Sequence, residues 1–126
     1  MDYTKLLGKR EIRFRVWDRL RKRWVPSTID SVERRVFTES VFGSSSTRFV
    51  PTQFTGLYDR DGKEIWEGDV LYVDAPEPFR AVVRFDIEGG CWEFLDDENS
   101  RWNFGEYDVK VCDNIFEHPE LLEQDQ

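Results

Sequence analysis

Few residues in this chain could carry chemistry, and they are scattered. His118 is the single histidine, and imidazole is the side chain most used for proton transfer near neutral pH. It stands directly before Pro119, at a place suited to a helix start, so an exposed flank accounts for it better than a catalytic base does. Glu67 and Asp69 flank Gly68 and supply two carboxylates, the raw material of acid–base catalysis, but the same composition is what turns favour. Cys91 and Cys112 are too few for a disulfide framework and lack CxxC spacing, so both read as buried thiols. No Ser-His-Asp, Cys-His, HExxH or glycine-rich phosphate pattern occurs. An enzyme is the disfavoured reading, and no catalytic residue and no cofactor is assigned.

Asp59-Arg60-Asp61-Gly62 invites comparison with a calcium-binding loop. Placing Gly62 at the sixth position of such a loop puts Leu57 first and Gly68 twelfth, where acidic ligands are required. The metal reading fails there, and no metal ligand is assigned. A reverse turn explains the segment, since glycine takes positive φ while aspartates bond the local backbone.

The other chemistry-bearing feature is basic. Residues 9–23 hold eight Lys and Arg with Phe14 and Trp17 interleaved, a composition compatible with phosphate contact and base stacking. Arg13, Arg15, Arg19, Arg21, Lys22 and Arg23 are the candidate contacts to a nucleic acid or another partner. Against this, the chain is acidic overall, with net charge −8 and pI near 4.7, and arginines alternating with apolar residues are what the solvent face of an amphipathic strand looks like. The charge is polarised. Residues 1–50 carry 12 Lys/Arg against 6 Asp/Glu, whereas residues 51–126 carry 6 against 20. Fields of opposite sign permit head-to-tail self-association between copies, or mimicry of a nucleic-acid backbone by the acidic half.

The elements that must position these residues are mostly strands. With 126 residues, 39% of them hydrophobic and 15% aromatic, the chain can bury one core without staples. Residues 11–17 alternate Ile12, Phe14 and Val16 with Arg13 and Arg15, which predicts a strand with its apolar side inward. A polar stretch follows, then Trp24 and Val25 before Pro26, so residues 9–50 open with a hairpin whose tip is basic. Residues 32–42 have ambiguous period, and 43–47 are loop by composition. Strands are expected again near 48–50, 63–66, 70–73, 81–85, 91–95, 101–104 and 109–112, separated by turns and the acidic loop 96–100. Strands so short and closely spaced point to a barrel or sandwich. Pro119 at a first helical position, followed by Glu120, predicts one short C-terminal helix. No apolar run approaches the roughly 20 residues that span a bilayer, and the first ten residues lack the apolar stretch of a secretory signal. The expectation is a cytoplasmic protein with no membrane contact.

Three segments carry a family resemblance: residues 10–18 (REIRFRVWD), 53–70 (QFTGLYDRDGKEIWEGDV) and 114–122 (NIFEHPELL). In this order they resemble the YopX family of phage and prophage proteins, the middle block being the most specific. The chain departs from the family pattern at Asp113, where the usual ending has glycine, and residues 27–50 match no recognisable pattern. The resemblance implies a single mainly β domain over residues 1–126, with a small barrel-like, SH3-like or related body over residues 51–126 and an N-terminal hairpin extension. It also implies a gene of phage or prophage setting in a host cytoplasm, and it implies no activity. Taken together, the expectation is a noncatalytic binding protein acting on a host or phage macromolecule, with nucleic-acid binding and self-assembly as alternatives.

Overall fold

The computed structural model describes residues 5, 8, 11–26 and 48–122. Nine strands are described: β1 (Phe14–Asp18), β2 (Arg23–Trp24), β3 (Phe49–Tyr58), β4 (Glu64–Trp66), β5 (Asp69–Val73), β6 (Phe79–Asp86), β7 (Cys91–Leu95), β8 (Arg101–Asn103) and β9 (Val109–Asn114). They form two antiparallel sheets, ordered β2-β1-β3-β4 and β8-β7-β6-β5-β9. The fold is mainly β, and the five-stranded sheet curls into a half-barrel with β8 and β9 as its free edges. Among the described residues no helix is long and apolar enough to cross a membrane.

The core lies on the inner face of the curled sheet. Leu71 and Val73 of β5, Ala81 and Val83 of β6, Phe94 of β7, and Val109 and Val111 of β9 pack together at every second position of their strands. Phe79, Trp92, Trp102 and Phe104 close its margin. Ile65 joins this cluster from β4 of the other sheet. Because side chains alternate along a strand, sending Ile65 into the core turns Glu64 and Trp66 to the opposite side, towards β1.

A tight turn at Glu67-Gly68 carries the chain from one sheet to the other. Gly68 has φ of +87° and lies under the Phe116 ring, where an added Cβ would approach Phe116 Cε2 to 2.3 Å. Its amide donates to Val83 O at 2.9 Å, and its carbonyl accepts from Ile115 N at 3.0 Å. Only glycine meets both the left-handed backbone and the close approach.

Asp59 opens the turn between β3 and β4, as the reverse-turn reading expects. Its carboxylate accepts from the amides of Asp61 (2.9 Å), Lys63 (2.8 Å) and, across on β9, Val111 (2.9 Å). Burial penalises this charge, but the three amides outweigh that penalty and hold the carboxyl below its ordinary pKa.

Several expectations are corrected. Strand β3 begins as expected but continues through Pro51 to Tyr58; its Pro51 lies opposite Val16 and its Gly56 has positive φ, so breaker residues masked its length. The expected C-terminal helix is, within the described residues, one 3-10 turn over Pro119–Leu122. Asn114 Oδ1 accepts the amides of Phe116 (3.1 Å) and Glu117 (2.8 Å), a side-chain turn that closes before Pro119. Cys91 and Cys112 are exposed free thiols, not buried ones. In the sheet β6 and β5 separate them, a gap of roughly 14 Å at strand spacing, too wide for a disulfide. The ambiguous stretch 32–42 and the loop 43–47 lie outside the described residues.

Candidate functional site

The start of β1 departs from the alternation expected from its sequence, whereas Val16, 8% exposed, is buried as expected. Ile12 and Phe14 are 56% and 63% exposed, whereas Arg13 and Arg15 are half-buried on the face they share with Glu64 and Trp66. Taking a guanidinium out of water is costly unless it is paired, so something must hold Arg13 and Arg15 there. That something comes from β4 and the turn after it. Arg13 Nη2 donates to Glu64 Oε1, and Arg15 Nη2 reaches Asp69 Oδ1 at 3.3 Å.

Aromatic rings complete the arrangement. The Arg15 guanidinium stands 4.0 Å from the Trp24 ring and 4.7 Å from Trp66, sandwiched between two indoles. Arg13 stands 4.5 Å from the Phe54 ring. Arginine is the cation suited to such a place, because its planar, weakly hydrated group stacks on rings while its N–H groups reach carboxylates. The Arg15 Nε–H is buried without an acceptor. Further along, Trp17, Trp24 and Phe116 meet with centroid separations of 5.1, 5.6 and 6.3 Å, and Trp24 Nε1–H donates to Glu117 Oε1 at 2.7 Å.

Asp69 is the most perturbed group of the seam. Only 5% of its side chain is exposed, and burial pushes its pKa up to about 6 against the opposing pull of the Trp66 amide and Arg15. The Trp66 amide donates to its Oδ2 at 2.8 Å. Glu67, its near neighbour in sequence, is also raised by burial but bonds the Gln53 amide at 3.2 Å. The two carboxylates therefore serve different elements and do not form an acid–base pair. Beside the seam opens a cleft of about 540 Å³, lined by Arg15, Lys63, Glu64, Trp66, Asp69, Cys112, Asp113 and Glu117 among others.

The six basic candidates separate into two groups. Arg13 and Arg15 belong to the seam. Arg19, Arg21, Lys22 and Arg23 are exposed at the hairpin tip, where Asp18 organises the turn. Its Oδ1 accepts from the amides of Leu20 (3.0 Å) and Arg21 (3.2 Å), and its two oxygens receive Arg48 Nε at 3.0 Å and Nη2 at 3.1 Å. The Arg48 fork holds the Asp18 carboxyl below its ordinary pKa. Lys22 takes the left-handed backbone at the tip, with φ of 53°. Next to it runs a second groove of about 660 Å³, lined by Trp17, Arg19, Lys22, Ile115, Phe116 and Pro119 among others.

Glu64, Trp66 and Asp69 were not singled out as partners of the arginines from sequence. A signal exists: Arg13 and Arg15 are two apart, as are Glu64 and Trp66, so each pair shares one face of its strand. Nothing in the chain order says that the two faces meet.

The seam brings residues 13–17, 64–69 and 114–118 together, so all three resemblance blocks meet at one place. The family model described as YopX protein matches residues 13–123. The crystal structure of protein EF1440 from Enterococcus faecalis is similar over 90% of this chain and 99% of that one, with TM-score 0.62 and 22% identity, a likeness of fold. No curated protein matches. A family match over most of the chain, whose diagnostic blocks converge on one seam, places this protein in the YopX family.

Proposed function

We propose that this YopX-family chain is a noncatalytic binding module, a phage or prophage accessory protein that seats a host or phage macromolecule at the cleft beside the arginine seam, in the host cytoplasm. The half-barrel serves as its scaffold, an SH3-like or related body carrying the seam on its flank. The observation that carries this reading is the convergence of all three family blocks on one cleft whose charged groups are bonded to one another. Groups held in this way present a fixed pattern of charge and ring edges to a partner. None of them is set as a nucleophile beside a free base, which the enzymatic alternative needs. Lys63 is exposed and lines the cleft, adding a positive charge that acts on Asp69. Affinity purification from induced host cells tests the reading. A stoichiometric partner retained by the wild type and lost by Lys63→Glu is expected; repeated recovery of none, or equal retention by the variant, overturns it.

The hairpin tip favours a second reading, nucleic-acid binding. Arg19 and Lys22 border the second groove, with the Phe116 ring along it, a combination suited to phosphate contact and base stacking. Titration of single- and double-stranded DNA and RNA across salt concentrations decides it. Affinity that falls with salt and is lost in Arg19→Glu/Lys22→Glu is expected, and absence of binding at low salt removes the reading.

A further inference from the structure

The end of β9 and the turn after it place three metal-ligating side chains within reach of one another, and neither the charge pattern nor the seam uses them as a set. One donor atom each of Asp113, Glu117 and His118 lies within 4.8 Å of the others. His118 Nε2 stands 3.5 Å from Asp113 Oδ2. We propose that Asp113, Glu117 and His118 form a binding site for a divalent transition-metal ion of the zinc or nickel class.

The argument rests on what holds the far side of each ligand. His118 Nδ1 is bonded to Glu120 Oε1 at 2.9 Å, which fixes the ring and leaves Nε2 facing Asp113. A carboxylate behind the far nitrogen is the arrangement that metal-bound imidazoles adopt, because it sets the tautomer and raises ligand basicity. Asp113 Oδ1 accepts the Asn114 amide at 2.9 Å, leaving Oδ2 towards the histidine. Glu117 Oε1 accepts Trp24 Nε1–H at 2.7 Å from the hairpin, which leaves its second oxygen available. One imidazole and two carboxylates give three first-row metal ligands with room for water in the remaining positions. Donors at about 2.1 Å from an ion stand roughly 3.4 Å apart in a tetrahedron, so the three groups need close by no more than about 1.4 Å, which exposed side chains do by rotation. Imidazole in the set favours zinc or nickel over magnesium or calcium, which prefer oxygen donors alone. An ion here would tie the C-terminal turn to β9 and, through Glu117 and Trp24, to the hairpin.

Titration of the full chain with Zn²⁺ and Ni²⁺ by calorimetry, followed in parallel by tryptophan fluorescence, tests the site. Saturable binding of one ion per chain is expected, with Ni²⁺ quenching emission because Trp24 contacts a ligand. His118→Ala and Asp113→Asn should each weaken binding at least tenfold, and Glu120→Ala by about tenfold through loss of the group behind the imidazole. Cys112→Ser should leave affinity unchanged. Absence of saturable binding overturns the proposal. So does binding that survives His118→Ala but is lost in Cys112→Ser, which would place the ion on a thiol. Lys63 takes no part in the site, so this outcome is independent of the partner test at the cleft.

Discussion

The interior beneath the five-stranded sheet and the arginine seam on the four-stranded sheet are built from opposite materials. Leu71, Val73 and Phe94 have no exposed surface, and their neighbours are aliphatic or aromatic. In the seam, arginines and carboxylates are packed among indoles, and side-chain exposure rises from 5% for Asp69 through 30% for Arg15 to 37% for Arg13. The core gains from area removed from water, which has no dependence on charge state. The seam depends on pairing, because a desolvated charge is tolerated only opposite its partner. The first region holds the sheet together under most conditions, whereas the second answers to pH, salt and single-charge changes.

The largest expected effect lies in the core. Phe94→Ala should cost about 4 kcal/mol, the usual result of deleting a buried aromatic ring, with the same loss at every pH between the acid and neutral limits. Denaturant unfolding at several pH values checks it; a loss that varied with pH would blur the contrast between the regions.

Next comes the pH response of Asp69. Its folded pKa of about 6 exceeds the ordinary 3.8, so the folded state holds the proton more tightly. The resulting stability is fully present below about pH 4, declines as pH rises towards 6, and is flat above that. The decline should amount to roughly 2–3 kcal/mol and should be missing from Asp69→Asn. Unfolding curves of wild type and variant from pH 4 to 7 give the difference; parallel profiles would mean that Asp69 ionises freely in the fold.

The smallest effects grade along β1 itself. Arg15→Ala should cost about 2 kcal/mol, since it strips Asp69 of its cation and opens the space between two indoles. Arg13→Ala should cost less, and that loss should fade in about 1 M salt, because its ion pair with Glu64 is open to solvent. Equal costs for the two arginines would show that the gradation in burial does not grade the energetics.

How much was legible beforehand follows the same division. Strands β5 and β7 and the Asp59 turn could be read locally, because alternation, apolar runs and Asp-Gly punctuation are short-range signals. The family could be read from three ordered blocks. The facing of β1 could not. Val16 obeys the rule that apolar residues point inward, but Ile12 and Phe14 do not, because Trp24, Trp66, Glu64 and Asp69 draw the arginines onto the covered face. The exposed cysteines had the same cause. Cys91 beside a glycine turn and Cys112 at the irregularity of β9 opposite Val70 owe their exposure to pairing register.

By itself, the sequence determined that the chain is β-rich, where most strands and turns fall, and which segments mark the family, since these depend on residues a few positions apart. Only the tertiary structure decided that Ile12 and Phe14 lie outside, which carboxylates the arginines of β1 meet, and that Glu117 reaches Trp24. Those choices compare the free energies of competing contacts between residues some 50 to 100 positions apart, and no local pattern encodes that comparison.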